Sequence, residues 1–296
     1  MKKIISLITL LLLTAATAWG YSWNNYTVET MSSGLVFPEG PVWLSEGYLV
    51  FSDVHAKTIE QLKPEGGTIP WLSKDIKTNG LILSRDKKKI FACGHSVKAL
   101  LEIDIATRTL KTLASDYKGV PFLNVNDIAL DRRGNIYFTD PAWTGNPKDI
   151  QGVYCYSSKG TLTRAVELNQ QPNGIVVSPN GRWLYVARSG LHAIWRFQIH
   201  SDGSLSKGTC WVQLEKGAVP DGMTVDSRGN LFIAQAGNGK LCIVSPNGKI
   251  QKIISLPAKM PTNCEFSGKD KKVLFITTAG PEKDKVGTIL RLTFQP

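Results

Sequence analysis

The chain is poor in the residues that staple small exported folds and build soft-metal sites. Five cysteines and four histidines are spread over 296 residues. Cys93, Cys155, Cys210, Cys242 and Cys264 are odd in number and cannot all pair, and no C-x-x-C spacing occurs. Both facts argue against zinc and dithiol redox chemistry. Cys155 and Cys242 lie in apolar strand-like runs, where a buried free thiol is the default. An oxidising compartment leaves room for one disulfide, with no pair favoured. Linkers and low-complexity segments are missing too, as is any amphipathic helix of three or more turns beyond the N-terminus.

Long apolar runs are absent except at the start. Lys2 and Lys3 precede the run Ile4 to Leu13, and the small-residue stretch Thr14 to Gly20 follows, with Ala16-Thr17-Ala18 inside it. This is the layout of a secretory signal peptide. The run is shorter than the roughly 20 apolar residues a spanning helix needs, and no cysteine ends it to carry a lipid. The expectation is a signal peptide at 1–20 and an exported mature chain at 21–296, periplasmic or secreted, without stable membrane insertion. The formal net charge is +11. No stacking aromatics interleave the basic residues, which argues against nucleic acid.

What the mature chain does have is a repeat. Six times a polar residue opens an apolar run: Glu39-Gly40-Pro41-Val42-Trp43, Asn79-Gly80-Leu81, Asn126-Asp127-Ile128, Asn173-Gly174-Ile175, Asp221-Gly222-Met223 and Asn263-Cys264-Glu265-Phe266. The openings are 40, 47, 47, 48 and 42 residues apart. Each is followed by a polar turn and a second strand-like run, as in Asp131-Arg132-Arg133-Gly134-Asn135 before Ile136 and Asp226-Ser227-Arg228-Gly229-Asn230 before Leu231. Gly and Asn at such points supply the positive φ of tight hairpins. Repeats of this length with four short strands are propeller blades. The fold expected is all-β, a single six-bladed β-propeller. Its last blade is one strand short, and Asn25–Met31 can supply that strand and close the ring. A lectin-like sandwich would leave six evenly spaced openings unexplained.

If each opening residue starts an innermost strand, all six ring one mouth of the central channel. Glu39, Asn79, Asn126, Asn173, Asp221 and Asn263 all carry side-chain oxygens, and two are carboxylates. That donor set suits a hard divalent cation, calcium before magnesium, manganese or zinc. Turn chemistry alone explains Asn, Asp and Gly at such points; it explains Glu39 poorly.

These residues carry a resemblance as well. Pro38-Glu39-Gly40-Pro41-Val42-Trp43, Asn126-Asp127 with Phe138-Thr139-Asp140-Pro141, Pro172-Asn173-Gly174, Pro220-Asp221-Gly222-Met223 and Thr262-Asn263 resemble the family of senescence marker protein, gluconolactonase and luciferin-regenerating enzyme. The resemblance runs through all six blades in order. It implies a six-bladed propeller with a catalytic divalent metal in the channel. Glu39, Asn173 and Asp221 would then be metal ligands. Asn126 would be a fourth ligand, as in related diisopropyl-fluorophosphatases, or a substrate contact, as in sugar lactonases. Asp221 takes the place of the base or nucleophile, and Asn79 and Asn263 are left to outer-shell or structural roles. Sugar lactonases of this type often carry Arg two positions before the residue matching Asn126. Here that substrate-facing position is Asn124, which weakens gluconolactone itself as the substrate.

Loops after each second strand fall on the same face as the ring, which brings His55, His95, Trp143, His192 and Asn238 there. His55, His95, Trp143 and His192 join Asn124 and Asn126 as candidate substrate contacts. The first-to-second-strand hairpins lie on the opposite face and hold Arg85, Lys87, Lys88, Lys89, Arg132, Arg133, Arg182, Arg228, Lys269, Lys271 and Lys272, a solvated basic face. The leading function is metal-dependent hydrolysis of a lactone or activated ester by a monomer. The alternatives are a non-catalytic ligand- or protein-binding propeller with a structural calcium, and an envelope protein that binds polyanions.

Overall fold

The structure is a computed structural model that describes residues 22–143, 146, 149–268 and 270–295. The expected signal segment and the hairpin residue Lys269 lie outside the described residues. Six four-stranded antiparallel sheets follow one another as the blades of a propeller. Blade 1 runs Pro38–Trp43, Leu49–Asp53, Thr58–Leu62 and Thr68–Ser73 from the axis outward. The inner strands of blades 2 to 6 are Thr78–Leu83, Ile128–Leu130, Pro172–Val177, Pro220–Val225 and Met260–Phe266. Helix is confined, among the described residues, to two single 3₁₀ turns at Ser189–Leu191 and Glu282–Asp284.

The ring closes as expected, with a longer strand. Ser22–Leu35 pairs antiparallel with the last strand, Gly287–Gln295, and becomes the outer strand of blade 6. Each blade is apolar on both faces, so the core is divided into six clusters, one between each pair of neighbours. One joins Val42, Val50 and Ile59 of blade 1 to Leu81, Ile90 and Ala92 of blade 2. Another closes the circle, with Leu49 and Phe51 against Phe275 and Ile289. Trp43 stacks on Phe275 across that same seam, centroids 5.8 Å apart.

The basic hairpins are exposed, yet some of them do more than meet solvent. Arg85 Nη1 donates to the Asp131 carbonyl of the next blade's hairpin at 3.2 Å, and Arg132 reaches the Pro179 carbonyl of the blade after that. These guanidinium groups tie neighbouring blades together on the face away from the ring. All five cysteines are free; four are buried and Cys210 is exposed.

Candidate metal centre in the channel mouth

Why the opening residues point inward is a matter of register. In five blades the pairing between first and second strands slips at the opening, between Glu39 and Val42, Thr78 and Leu81, Pro172 and Ile175, Pro220 and Met223, and Pro261 and Asn263. Such bulges re-aim a side chain, here toward the axis. The glycine that follows is dictated by crowding. A Cβ on Gly174 would lie 2.0 Å from the Asp221 carbonyl oxygen, and one on Gly40 2.2 Å from the Asn79 carbonyl oxygen. Backbone therefore packs on backbone around the axis. Hydroxyls pin the same layer: Ser52 Oγ donates to the Asn79 carbonyl, Ser189 Oγ to the Pro220 carbonyl and Thr262 Oγ1 to the Pro38 carbonyl.

The result is a cavity of about 310 Å³ in the channel mouth. Glu39, Asn79, Asn126, Asn173 and Asp221 form its floor, and His55, His95 and Trp143 lie among its walls with Phe37, Val54 and Val219. Five of the six expected ring residues thus share one cavity. Asn263 sits just beneath, donating from Nδ2 to Glu39 Oε2 at 3.3 Å. Asn124 and His192 do not line it. The Asn124 backbone N–H donates to Asp140 Oδ1 at 2.7 Å, and its side chain turns to the Pro141 carbonyl. His192 follows the 3₁₀ turn in a left-handed conformation, and its Nδ1 faces the Ala218 carbonyl at 2.8 Å. Asn238 donates to Glu215 at 2.9 Å, outside the cavity lining.

One group went unselected from sequence. Asp127 stands where four other blades have glycine, and its carboxylate enters the channel below the floor. It accepts from the Ile128 N–H at 2.9 Å and, across the blade boundary, from the Ile175 N–H at 3.2 Å. Asp127 and Cys264 are the two departures from the glycine column, and Asp127 is the charged one, which was the available signal. Asp127 also lines a second cavity of about 270 Å³ at the far end of the channel, with Glu265.

Three carboxylates therefore converge on the axis. Burial, then the charge of Asp127, pushes Glu39 up to about 8. Burial alone carries Asp127 up to about 7. Burial, then Glu39 and Asp127, holds Asp221 well above the usual carboxylate range. No lysine or arginine is among the groups that act on these three. Buried like charges without a counter-charge favour protonation or a bound cation. Among the described residues no group of three or more His, Cys, Asp or Glu side chains is arranged to hold a metal. The donor set here is different in kind: two carboxylates, Glu39 and Asp221, beside the amide oxygens of Asn126 and Asn173. By its chemistry that set fits a hard divalent cation and not a soft one.

A closed six-bladed propeller with carboxylates and amides gathered at one channel mouth defines the class. Residues 37–280 match the SMP-30/Gluconolactonase/LRE-like region, and the chain belongs to that family. It is 29% identical to the gluconolactonase of Zymomonas mobilis over 85% of this chain and 79% of that protein. The solved gluconolactonase of Xanthomonas campestris superposes with a TM-score of 0.80 at 25% identity, covering 91% of this chain and 90% of that one. A regucalcin from Agrobacterium tumefaciens, described as a calcium-binding protein, has the same fold, with a TM-score of 0.76 at 19% identity over 88% and 90% of the two chains.

Proposed function

We propose that the protein is an exported, metal-dependent hydrolase that opens lactones, or similarly activated esters, in the channel-mouth cavity. The observation that carries this reading is the meeting of Glu39 and Asp221 in one cavity with no cationic side chain between them. A gluconolactonase among the relatives and a calcium-binding regucalcin among the structural neighbours support it. Glu39, Asn126, Asn173 and Asp221 would hold the ion, with calcium the first choice. When bound, a divalent cation supplies Lewis-acid polarisation of an ester carbonyl and favours ionisation of nearby water.

The chain's own residues supply the rest. Asp221 is the best-placed base. It is less enclosed than Glu39, Asn126 and Asn173, and its raised proton affinity suits it to take the proton of an attacking water. Asn173 bonds to its carboxylate and fixes its direction. Water adds to the carbonyl carbon, the ring C–O bond breaks, and the proton held on Asp221 goes to the departing alkoxide. Phe37, Val54, Val219 and Trp143 line apolar walls that limit bulk water around the ring of the substrate.

The test is hydrolysis of a panel of aldono-, aliphatic and aromatic lactones, with EDTA treatment and metal add-back, beside Glu39→Gln and Asp221→Asn. Metal-dependent turnover lost in both variants is the expected result. Folded, metal-loaded protein that turns over no lactone, and that loses only melting temperature to EDTA, would instead be a binding propeller with a structural ion. Export is checked by N-terminal sequencing of the mature protein, expected to begin near residues 19–21.

A further inference from the structure

The cavity is electrostatically two-sided. Its floor is acidic, whereas the wall built by blades 1 and 2 is basic. His55 follows the second strand of blade 1, and His95 follows the second strand of blade 2, Lys89–Gly94. Lys77 stands two residues before Asn79 and directs Nζ to His55 Nδ1 at 3.2 Å. An ammonium has only donors, so His55 Nδ1 accepts from it. Burial, then the charge of Lys77, pulls the pKa of His95 below the ordinary imidazole value. His95 Nδ1 is buried and has no hydrogen-bond partner.

This wall is rigidly made. The Lys77 N–H donates to Ser96 Oγ at 3.0 Å, the Ser96 N–H returns a bond to the Lys77 carbonyl, and Phe37 packs edge-on against His55 with centroids 5.0 Å apart. No carboxylate lies within ion-pair distance of Lys77 or Lys98 among the described residues. Asp140 feels the charge of Lys98, yet it is 1% exposed and accepts from the Leu123 and Asn124 N–H groups. His55 and His95 line the cavity, and Lys77 stands behind His55 without lining it, so one side of the pocket carries a positive charge that a neutral sugar ring does not need. An anionic oxygen group on that side meets the charge of Lys77 through the two imidazoles.

Resting on the lactonase reading above, we propose that this wall binds an anionic substituent of the substrate. The lactone would carry a carboxylate, phosphate or sulfonate remote from its scissile ester. Lys77 is the specificity-determining residue through its charge, and His55 and His95 are the imidazoles on the cavity wall between it and the anion. The acidic floor and the basic wall then orient the substrate, ester down and anion to the side.

Steady-state kinetics test this with one aldonolactone and the same ring bearing a terminal carboxylate, phosphate or sulfonate. The three anionic arms separate the sources of the charge. For the wild type, kcat/KM is expected to favour at least one anionic lactone by about tenfold or more, with the preference shrinking as salt rises. Lys77→Met should lower the anionic-to-neutral ratio about 10- to 100-fold through KM, the range for one charge-assisted hydrogen bond. Lys77→Arg should restore most of it. Equal kcat/KM for neutral and anionic lactones, or an unchanged ratio in a folded Lys77→Met, overturns the proposal. The second readout is independent of turnover: NMR of the four histidines, with His55→Gln and His95→Gln for assignment, during titration with inorganic phosphate. Shifts at His55 and His95 that vanish in Lys77→Met sustain the anion wall even if no lactone is hydrolysed, in which case the lactonase reading alone fails. Absence of any shift overturns the wall.

Discussion

Glu39 makes the strongest quantitative case, because under the proposed function the same carboxylate would set both cation affinity and the stability of the metal-free fold. Its pKa is raised from 4.5 to about 8 by burial and by Asp127. A cation that uses this carboxylate must displace its proton at any pH below about 8. Well below that value each pH unit should weaken binding about tenfold through Glu39 alone, so affinity at pH 6 falls roughly 50-fold from that at pH 8. Asp221, raised in the same direction, steepens the slope. The sign for stability follows from linkage. Glu39 is neutral in both states below about pH 4.5 and contributes nothing there. As pH rises toward 8 the unfolded state ionises first, so the metal-free fold loses stability. At pH 7 the loss spans 2.5 units from 4.5, about 3 kcal/mol. Glu39→Gln keeps an oxygen to accept from the Gly40 N–H and Asn263 Nδ2 and removes the titration. It should stabilise metal-free protein by up to about 3 kcal/mol at pH 7 and hardly at all near pH 4.5. Urea unfolding in EDTA measures the second effect; calcium calorimetry in buffers of different ionisation enthalpy counts the protons for the first. A calcium affinity flat from pH 5 to 8 without proton release would refute the reasoning, and so would a Glu39→Gln variant no more stable than wild type at pH 7.

Other outcomes follow from the packing. Gly174→Ala drives a Cβ into the Asp221 carbonyl and should cost about 3 kcal/mol or more, read by urea melts; a cost under 1 kcal/mol would mean the ring layer yields. Asp131 accepts from the Arg133 and Asn135 N–H groups and from Asn135 Nδ2, so Asp131→Ala should lose about 2–3 kcal/mol. Of the five thiols only Cys210 is exposed, so a native thiol titration should give one fast equivalent and four more only on denaturation. Deleting residues 22–31 strips the outer strand from Gly287–Gln295 and should lower the melting temperature and promote aggregation through the bared edge, seen by light scattering.

The architecture was legible because each blade solves the same steric problem with the same residues. An oxygen-bearing side chain turns inward, at a bulge in five blades, glycine lets the next backbone approach in four, and Asn or Gly recurs in the hairpins. What the repeat could not convey is which side chain a neighbouring blade would meet. Asp127 reads as one more turn residue until ring closure sets it against the Ile175 N–H and the channel. His192 falls on the expected face, but the 3₁₀ turn at Ser189–Leu191 leaves it in a left-handed conformation with Nδ1 on the Ala218 carbonyl. Charge misled in a milder way. Arg85 and Arg132 read as solvated surface, and their partners are backbone carbonyls 46 and 47 positions downstream, which no local pattern reveals.

The pairing of Ser22–Leu35 with Gly287–Gln295 has a temporal side. Glu29 meets Arg291 across 262 residues of chain. Such contacts of very high sequence separation form late and slowly. Every blade but the last can assemble as its four strands appear, whereas blade 6 must wait for a segment made at the start. Until Gln295 has been made and released, the first strand has no partner and the circle stays open. The channel mouth shares that timing, because Thr262 and Asn263 of blade 6 hold Pro38 and Glu39 in place. The carboxylate cluster at the channel mouth and the completed circle therefore come into being in the same event, and any ion bound there would report on whether the chain has finished folding.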